Sequence, residues 1–500
     1  MRGVGVPARA LRLGVLLCLA ALVFVSAGRR THPAPRAVAA PTPAAAPVPQ
    51  APVEHAKQVR LLITVIDGDR RVRVPGATVR VEGRLRVADK TGLARVDVFG
   101  LKTVPVTVSA KGFATRTLSV DFAQSRQQTV RIYRPDLQWP MYGVTDTRTQ
   151  SQEHIRLRPP FKTVWSLPMG GLIEFPAVVD DGVAYIGNGR ATVRAISMRF
   201  GTPIWRHDTP GVHMASSPAV FGNELVYHTM DGHVDVLDTA TGHLRWSYSV
   251  GSPIESSPIV RDGVDYFGDW SGDVYALDLR THALVWTRSL GAKITSSASI
   301  LGGTLYIGDY AGRLWALAVG DGSTRWTGTV NGRIYGTPAV ADGRVFVPSS
   351  TGDSLTAFST AGKQLWRVST GGYVYSSPAT ANGRVFFGSY DGTFYAVSAA
   401  SGSVLWRVGA GGPISGAAVV VDGVAYAGSF AHEIVGVDAV SGKRLLTFDH
   451  GHYVPVSGNG MRLLFHGYSR LYAVEPKTTT AKPAVTRITA SLTTTRRSGG

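Results

Sequence analysis

Residues 375–408 read YSSPATANGRVFFGSYDGTFYAVSAASGSVLWRV, and this stretch contains four short alternating or apolar runs. Such runs are typical of strands with a buried face. Asn382-Gly383, Asp391-Gly392 and Ser401-Gly402 separate the runs, at points where tight hairpins need residues that tolerate a positive φ. The stretch therefore predicts a four-stranded antiparallel meander.

The same unit recurs along the chain, because a tryptophan returns every 40 or 41 residues. The repeated residues are Trp165, Trp205, Trp246, Trp286, Trp326, Trp366 and Trp406, with Leu446 in the eighth position. A fixed period of this length marks units that bury their apolar faces only against one another. The sequence thus predicts an all-β fold, an eight-bladed β-propeller of four-stranded blades over residues 161–476. Burial of the large indole rings accounts for the repeated tryptophans without any cofactor.

The ends of this repeat region complement each other. Only three predicted strands follow Leu446, so residues 163–167 must supply the fourth strand of the last blade and close the ring. Proline recurs in the first strand of the unit, and because it cannot donate a hydrogen bond to a sheet it belongs on an edge strand or at a strand start. We expect this strand to line the central channel. These prolines are Pro176, Pro218, Pro258, Pro338 and Pro378.

The consensus of the repeat resembles the pyrroloquinoline-quinone-like (PQQ-like) propeller repeats. It reads xSSPxV followed by GxVYxGSxDGxxYALDxxTGxxxW. The resemblance covers most of residues 161–476. Its family includes quinoprotein alcohol and glucose dehydrogenases, and also a cofactor-free lipoprotein of the outer-membrane barrel assembly machine. The resemblance therefore implies the fold and leaves the function open.

The charge of the chain is unevenly distributed. The formal net charge is +18, yet residues 161–476 hold 22 Lys and Arg against 24 Asp and Glu. Binding to nucleic acid needs a basic face, and the composition of the repeat region does not supply one. We therefore expect no nucleic-acid partner.

The first 30 residues have the layout of a signal peptide or signal anchor, with arginines before an apolar run at residues 13–28. Val25-Ser26-Ala27 offers a cleavage site, whereas Arg29-Arg30 favours a retained anchor with a cytoplasmic N-terminus. We expect an extracytoplasmic protein held at the cell membrane, or secreted if the signal is cleaved. Cys18 is the sole cysteine, so the exported part has no disulfide.

Four further segments flank the repeats. Residues 31–57 form a Pro/Ala-rich linker. Residues 58–135 contain six alternating runs that predict a small β-sandwich. Its motifs VPGATV (residues 74–79), TGLA (91–94) and AKGF (110–113) resemble the carboxypeptidase regulatory-like domain, an immunoglobulin-like fold. Residues 136–160 are a connector whose Trp139-Pro140-Met141-Tyr142 predicts an apolar plug on the propeller, and residues 477–500 are a Thr-rich tail predicted to be disordered.

A candidate binding surface lies on the propeller face where two sets of loops open. The loops that lead into the first strands contribute Glu174, His213, Glu255, Lys293, Arg333, Tyr335, Tyr373, Tyr375 and Tyr453. The loops between second and third strands contribute Asp269, Trp270, Asp309, Tyr310, Tyr390, Asp391 and Tyr468. Such a polar, aromatic funnel suits a small anion, a peptide segment or a glycan.

Several of these residues also have a structural interpretation. Asp391 belongs to a hairpin turn, where its side chain caps the backbone. Trp270, Tyr310 and Tyr390 occupy matching positions in their repeats, which favours packing between strands. Glu255, Lys293 and Arg333 depart from the repeat consensus, so they are candidates for function or for mutual salt bridges.

The resemblance also raises an enzymatic alternative, a PQQ-dependent dehydrogenase of alcohols or sugars. Such an enzyme holds its quinone over Ca²⁺, and Glu174, Glu255, Asp269 and Asp309 are the candidate ligands here. The vicinal cysteine pair and the long insertions of the alcohol dehydrogenases are absent, and hydrolase motifs are missing. We therefore expect no catalytic residue, no metal and no cofactor. The expected protein is a monomeric binding or scaffold protein that recognises envelope proteins or glycan.

Overall fold

The computed structural model describes residues 58–100, 103–123 and 125–477. The predicted signal or anchor, the linker at residues 31–57 and residues 478–500 of the tail lie outside these ranges. Within the described ranges the chain is all-β apart from one 3₁₀ turn at Pro135–Leu137. No helix in this part of the chain is long and apolar enough to span a membrane.

Residues 58–132 form two facing sheets with the strand orders β4-β1-β7 and β3-β2-β5-β6. The strands are β1 (Gln58–Asp67), β2 (Thr78–Val81), β3 (Arg84–Val87), β4 (Leu93–Phe99), β5 (Thr103–Ser109), β6 (Arg116–Asp121) and β7 (Gln127–Ile132). Buried side chains alternate with exposed ones along β1, β4 and β5. Leu61 and Val96 of one sheet share a core with Val79 and Val106 of the other. We call this two-layered unit the sandwich.

The described residues after the sandwich form eight further sheets, numbered here I to VIII in chain order, which are antiparallel except for one short strand in sheet VII. Sheets I to IV contain β10 (Val178–Asp180), β11 (Val183–Gly187), β12 (Thr192–Ser197), β13 (Pro203–Asp208), β14 (Ala219–Phe221), β15 (Glu224–His228), β16 (His233–Asp238), β17 (Leu244–Ser249), β18 (Ile259–Arg261), β19 (Val264–Gly268), β20 (Asp273–Asp278), β21 (Ala283–Ser289), β22 (Ser299–Leu301), β23 (Thr304–Gly308), β24 (Arg313–Ala318) and β25 (Thr324–Thr329). Sheets V to VIII contain β26 (Ala339–Ala341), β27 (Arg344–Ser349), β28 (Ser354–Ser359), β29 (Gln364–Ser369), β30 (Ala379–Ala381), β31 (Arg384–Gly388), β32 (Thr393–Ser398), β33 (Val404–Gly409), β34 (Val419–Val421), β35 (Val424–Gly428), β36 (Glu433–Asp438), β37 (Arg444–Asp449), β38 (Gly451–Gly458), β39 (Leu463–Gly467) and β40 (Arg470–Pro476), together with β8 (Ser151–Gln152) in sheet VII and β9 (Phe161–Pro168) in sheet VIII.

Sheet VIII is completed by the strand that begins the repeat region. Its order is β38-β39-β40-β9, and Trp165 of β9 lies opposite Ala473 of β40. The predicted pairing of the two ends is therefore confirmed. The Asn382-Gly383 hairpin is confirmed as well, since φ is 50° at Asn382 and 70° at Gly383, as a type I′ turn requires.

The recurrent prolines lie just ahead of the first strands, in agreement with the predicted strand starts. Pro218, Pro258, Pro338 and Pro378 come directly before the three-residue first strands, and Pro176 lies two residues before β10. A proline has no amide hydrogen for a sheet, so each first strand begins only after it.

Most of the repeated tryptophans join their own sheet to the next one. For Trp366, the indole Nε1–H donates to the Ala399 carbonyl at 3.1 Å, and the ring covers Gly402. Gly402 has φ +73°, and a Cβ there would lie 2.7 Å from the ring, so the site requires glycine. The same donation to the next sheet is made by Trp165, Trp205, Trp286, Trp326 and Trp406. Trp246 differs, because it stacks on His282 at 4.3 Å and its buried Nε1 has no hydrogen-bond partner among the described residues.

The connector, residues 136–160, crosses the first strands of the sheets in succession. Trp139 exchanges two backbone hydrogen bonds with Val179 of β10, both at 2.8 Å. Backbone carbonyls farther along accept from the first strands of sheets II, IV, V, VI and VII, through the pairs Pro140 with Val220, Asp146 with Ile300, Thr147 with Val340, Thr149 with Thr380 and Gln150 with Val420. Trp139 and Tyr142 are buried in the core they share with sheets I, VII and VIII. The connector is thus an integral layer of the propeller.

The side chain of Arg148 links the connector to the segments that lead into sheets III and IV. Its guanidinium donates to the Pro258 carbonyl at 2.8 Å and the Ala298 carbonyl at 3.0 Å. It also donates to the carbonyl of Tyr142. Arg148 is only 1% exposed, and burial lowers its pKa to about 10, so it stays charged at neutral pH.

Asp69, in the turn after β1, is expected to make stability depend on pH. It is 3% exposed, and burial raises its pKa to about 7 even though the Arg134 amide and Gln138 Nε2 donate to it. The unfolded chain releases this proton near pH ~3.9. The folded state is therefore stabilised as pH falls from 7 towards 4, by up to ~4 kcal/mol, and loses that stabilisation as pH rises through 7. We expect Asp69→Asn to raise the melting temperature at pH 7 and to flatten the dependence between pH 4 and 7.

The control for this prediction is Asp136→Asn, since Asp136 is exposed. Thermal melts of both variants and the wild type across pH 4 to 8 make the comparison. An Asp69→Asn profile parallel to that of the wild type would show that Asp69 titrates normally.

Candidate functional site

The leading loops of several sheets converge on a small cavity of about 50 Å³, which we call the funnel. Its charged and aromatic lining consists of Tyr142, Glu174, Phe175, Glu255, Tyr335, Tyr375 and Tyr453. Tyr142 belongs to the connector, and its hydroxyl donates to Ser377 Oγ at 3.0 Å. Five of the predicted binding residues therefore meet at one cavity that also includes a connector side chain.

Glu255 is the most enclosed charged group of the funnel, with 8% of its surface exposed. The Tyr335 hydroxyl donates to its Oε1 at 2.5 Å, and Trp270 Nε1 donates to its Oε2 at 3.1 Å. Burial raises the pKa of Glu255, and the two hydrogen bonds oppose the rise only in part. Burial, reinforced by the carboxylate, also raises the pKa of the Tyr335 hydroxyl.

Glu174 brings a second carboxyl group to the same cavity. Its pKa is raised by burial first and by the charge of Glu255 second. Within the described residues Glu174 accepts no hydrogen bond and forms no ion pair. Two like charges thus face one small space, which favours the entry of a cationic group.

A chain of aromatic rings extends from the funnel across sheets V to VIII. Tyr335 contacts Tyr375 with ring centroids 5.1 Å apart, and Tyr375 contacts Tyr390 at 5.0 Å. Phe430 continues the chain to Tyr453 at 5.4 Å. Each contact lies within the 4.5–7 Å range of favourable aromatic pairs.

The cations lie at the rim of the funnel. Lys293 Nζ lies 3.2 Å from the centroid of the Trp270 ring and 5.1 Å from that of Tyr310. The Arg333 guanidinium lies 5.5 Å from the Tyr310 centroid. Burial lowers the pKa of Lys293, while the charge of Glu255 opposes that change. The site therefore has carboxyl groups inside and aromatic-bound cations outside.

Other predicted residues do not line the funnel. Asp269 is fully buried and accepts from its own hairpin, from the Asp273 amide and the Tyr275 hydroxyl, both at 3.0 Å. Asp309 is held in the same way by Arg313 and Trp315. Each of these aspartates is thus the buried acceptor of its own tight turn.

Three more of the predicted binding residues, His213, Asp391 and Tyr373, also lie outside the funnel lining. The exposed His213 has its Nδ1 3.0 Å from the Gly189 carbonyl, away from the funnel lining. Asp391 accepts from the amides of Gly371 and Thr393, each at 2.8 Å, so its interpretation as a turn residue is confirmed. Tyr373 is 45% exposed beside Tyr375.

Sequence reasoning missed three aromatic residues of the site, namely Tyr142, Phe175 and Phe430. A signal existed for Phe430, since it follows Ser429 as Tyr390 follows Ser389, one repeat earlier. Tyr142 had no such signal, because the connector lies outside the repeat.

The funnel does not fit a quinone cofactor with its calcium ion. Of the four candidate ligands only Glu174 and Glu255 line one cavity, and no described group of three or more His, Cys, Asp or Glu side chains is arranged to hold a metal.

The repeated sheets and the convergence of their leading loops define a PQQ-like β-propeller. The family described as outer membrane protein assembly factor BamB matches residues 161–299, 270–372 and 353–478, which together cover more than half of the chain. The chain belongs to this family.

Solved structures show the same fold. BamB from Moraxella catarrhalis is 19% identical, with a TM-score of 0.55, over 65% of this chain and 100% of that chain. Quinohemoprotein alcohol dehydrogenase from Comamonas testosteroni is 14% identical, with a TM-score of 0.60, over 69% of this chain and 82% of that one. The computationally designed Ika8 protein is 16% identical, with a TM-score of 0.56, over 63% and 99%. Identities this low show the fold alone, and comparison with curated proteins finds no match.

Proposed function

We propose that this protein is a non-enzymatic binding or scaffold protein of the cell envelope, exported and anchored through residues 1–30. Its funnel receives a basic side chain from an extended segment of a partner protein. The eight sheets are the blades of one closed ring, and the sandwich is the immunoglobulin-like domain. Contacts between the first strands of successive sheets, including those of sheets I and VIII, support the ring.

The observation that carries the proposal is the pair of carboxyl groups in a cavity of about 50 Å³ among aromatic rings. An ammonium group would neutralise the two like charges that these carboxyl groups bring together. Aromatic faces attract cations, and a charged hydrogen bond to Glu174 or Glu255 adds to that attraction. A lysine tip on an extended segment meets all three conditions.

The rim supports the same arrangement. Lys293 and Arg333 are held over Trp270 and Tyr310, so the cations of the protein itself stay outside the cavity. The carboxyl groups therefore remain accessible to an incoming cation. The description of the family as an outer membrane protein assembly factor supports the proposed scaffold role.

Glu255→Gln is expected to weaken the binding of lysine-containing peptides about ten-fold, because one charge-assisted hydrogen bond is lost. The measurement uses the full chain and arrays of extended peptides that carry one central lysine, or glutamine in its place. Since the pKa values of Glu174 and Glu255 are raised, wild-type binding should fall as the medium is acidified, and at a higher pH than ordinary glutamates titrate.

Glu224→Gln is the matched control, because Glu224 forms a salt bridge with Arg245 at 3.1 Å outside the funnel lining. Equal binding of lysine and glutamine peptides by the wild type would contradict the proposal. So would a Glu255→Gln variant that folds and binds like the wild type.

Glycan recognition is the second candidate, favoured by three aromatic side chains exposed near the funnel. Trp270, Tyr373 and Tyr468 are 37%, 45% and 52% exposed, and exposed rings can stack on sugars. A glycan array probed beside the peptide array distinguishes the two. The PQQ-dependent dehydrogenase alternative is tested by titrating the full chain with the quinone, with and without Ca²⁺, while following tryptophan fluorescence.

A further inference from the structure

A second cavity lies where the sandwich meets the propeller, with a volume of about 270 Å³. The sandwich contributes the turn after β1 and the end of β7, and the propeller contributes the β12–β13 and β38–β39 turns. Its lining includes Asp67, Arg71, Arg131, Arg199, Phe200 and Arg462. Four arginines thus surround one space, which we call the arginine cavity.

Two of these arginines already pair with a carboxylate of the protein. Arg462 is 4% exposed, and its Nε donates to Glu475 at 2.8 Å while its Nη1 donates to the Arg199 carbonyl at 2.6 Å. Arg71 pairs with the same Glu475. The other carboxylate at the cavity, Asp67, accepts from Arg134 Nε at 3.0 Å. Both carboxylates at the cavity therefore already pair with arginines of the protein.

Arg131 and Arg199 have no such partner. No described carboxylate lies within ion-pair distance of either guanidinium, and Arg199 is held over the Phe200 ring, 4.8 Å from its centroid. Burial lowers the pKa of Arg131, and the charge of Arg199 lowers it further, so the two groups are close enough to repel. Phe200 is 62% exposed and gives one side of the cavity an apolar face.

We propose that the arginine cavity is an anion site that binds a phosphate group between Arg131 and Arg199. Guanidinium forks match phosphate oxygens in pairs, and a phosphate carries enough charge to offset both cations. The volume admits a phosphate with a short organic substituent, which Phe200 would contact. The phosphate comes either as the free anion or as the ester of a headgroup. This inference does not depend on the function of the funnel.

The test is calorimetric titration of the full chain with inorganic phosphate and, separately, with glycerol phosphate. We expect one saturable site, and a melting temperature that rises with phosphate because the repulsion is relieved. Arg131→Gln and Arg199→Gln should each weaken binding about ten-fold. Arg131→Lys keeps the charge but not the fork, so its affinity should fall between those of the wild type and Arg131→Gln.

Arg288→Gln is the matched control, since Arg288 is exposed on β21 far from this cavity in sequence. Tighter binding of glycerol phosphate than of inorganic phosphate would identify an ester headgroup as the source, and equal or weaker binding would identify the free anion. Absence of binding by both probes would overturn the proposal. Binding that Arg131→Gln and Arg199→Gln leave unchanged would overturn it too.

Discussion

Trp366→Ala is expected to lower the free energy of unfolding by ~3–5 kcal/mol. The substitution removes an indole ring that packs on Phe346, with centroids 5.8 Å apart, and covers Gly402 of the next sheet. It also leaves the Ala399 carbonyl without the Nε1–H that donates to it at 3.1 Å. This single substitution therefore creates a large cavity and also removes a hydrogen bond between two sheets. Urea unfolding of the full chain, followed by circular dichroism, measures the loss.

Trp246 provides an internal control for the hydrogen-bond part of this effect. Its Nε1 has no partner within the described residues, and its ring stacks on His282 instead of a glycine. Trp366→Phe should therefore cost ~1 kcal/mol more than Trp246→Phe, the typical contribution of one hydrogen bond. Equal losses would mean that the indole donors do not help to hold the sheets together.

Arg148→Met is expected to destabilise the protein by ~3 kcal/mol or more. The guanidinium is almost fully buried, and it satisfies carbonyl groups of Tyr142, Pro258 and Ala298 from three separate segments. Methionine fills much of the same volume but donates nothing, so these acceptors lose their partner. Each buried acceptor left unsatisfied costs ~1–3 kcal/mol, and the relief of burying no charge offsets only part of the sum.

Arg148→Lys separates charge from geometry in this experiment. Lysine keeps the positive charge but lacks the planar fork that reaches several carbonyls at once. We expect its unfolding midpoint in urea to lie between those of the wild type and Arg148→Met. An Arg148→Met protein as stable as the wild type would show that Arg148 does not hold the connector against the sheets.

The repeat made most of the propeller predictable from sequence. The period of the tryptophans and the turn residues define each meander, and the three-strand remainder after Leu446 led directly to the pairing of β9 with β40. The prediction for the sandwich was less complete, because it did not include β3. Three of its four residues are exposed, so it shows no alternation of buried and exposed positions.

The site was predictable only in part, because the repeat does not indicate which loop residues come together in space. Glu255 and Tyr335 are 80 residues apart, yet they share a hydrogen bond of 2.5 Å. Asp269 and Asp309 have the same residue type as a metal ligand, but the turn that each one stabilises keeps its carboxylate inside its own sheet. The role of Arg148 had no sequence signal, because nothing in a non-repeating connector indicates which carbonyls it will meet.

The pairing of β9 with β40 also has a kinetic consequence. Phe161 pairs with Pro476, so β9 is made early and waits until nearly the whole repeat region has emerged before its partner exists. Contacts this distant in sequence make folding slow, and in the meantime β9 presents an unpaired edge to other chains. A chain cut short within β40 would keep that edge exposed. Completion of β40 therefore decides when the edge of β9 is no longer open to other chains.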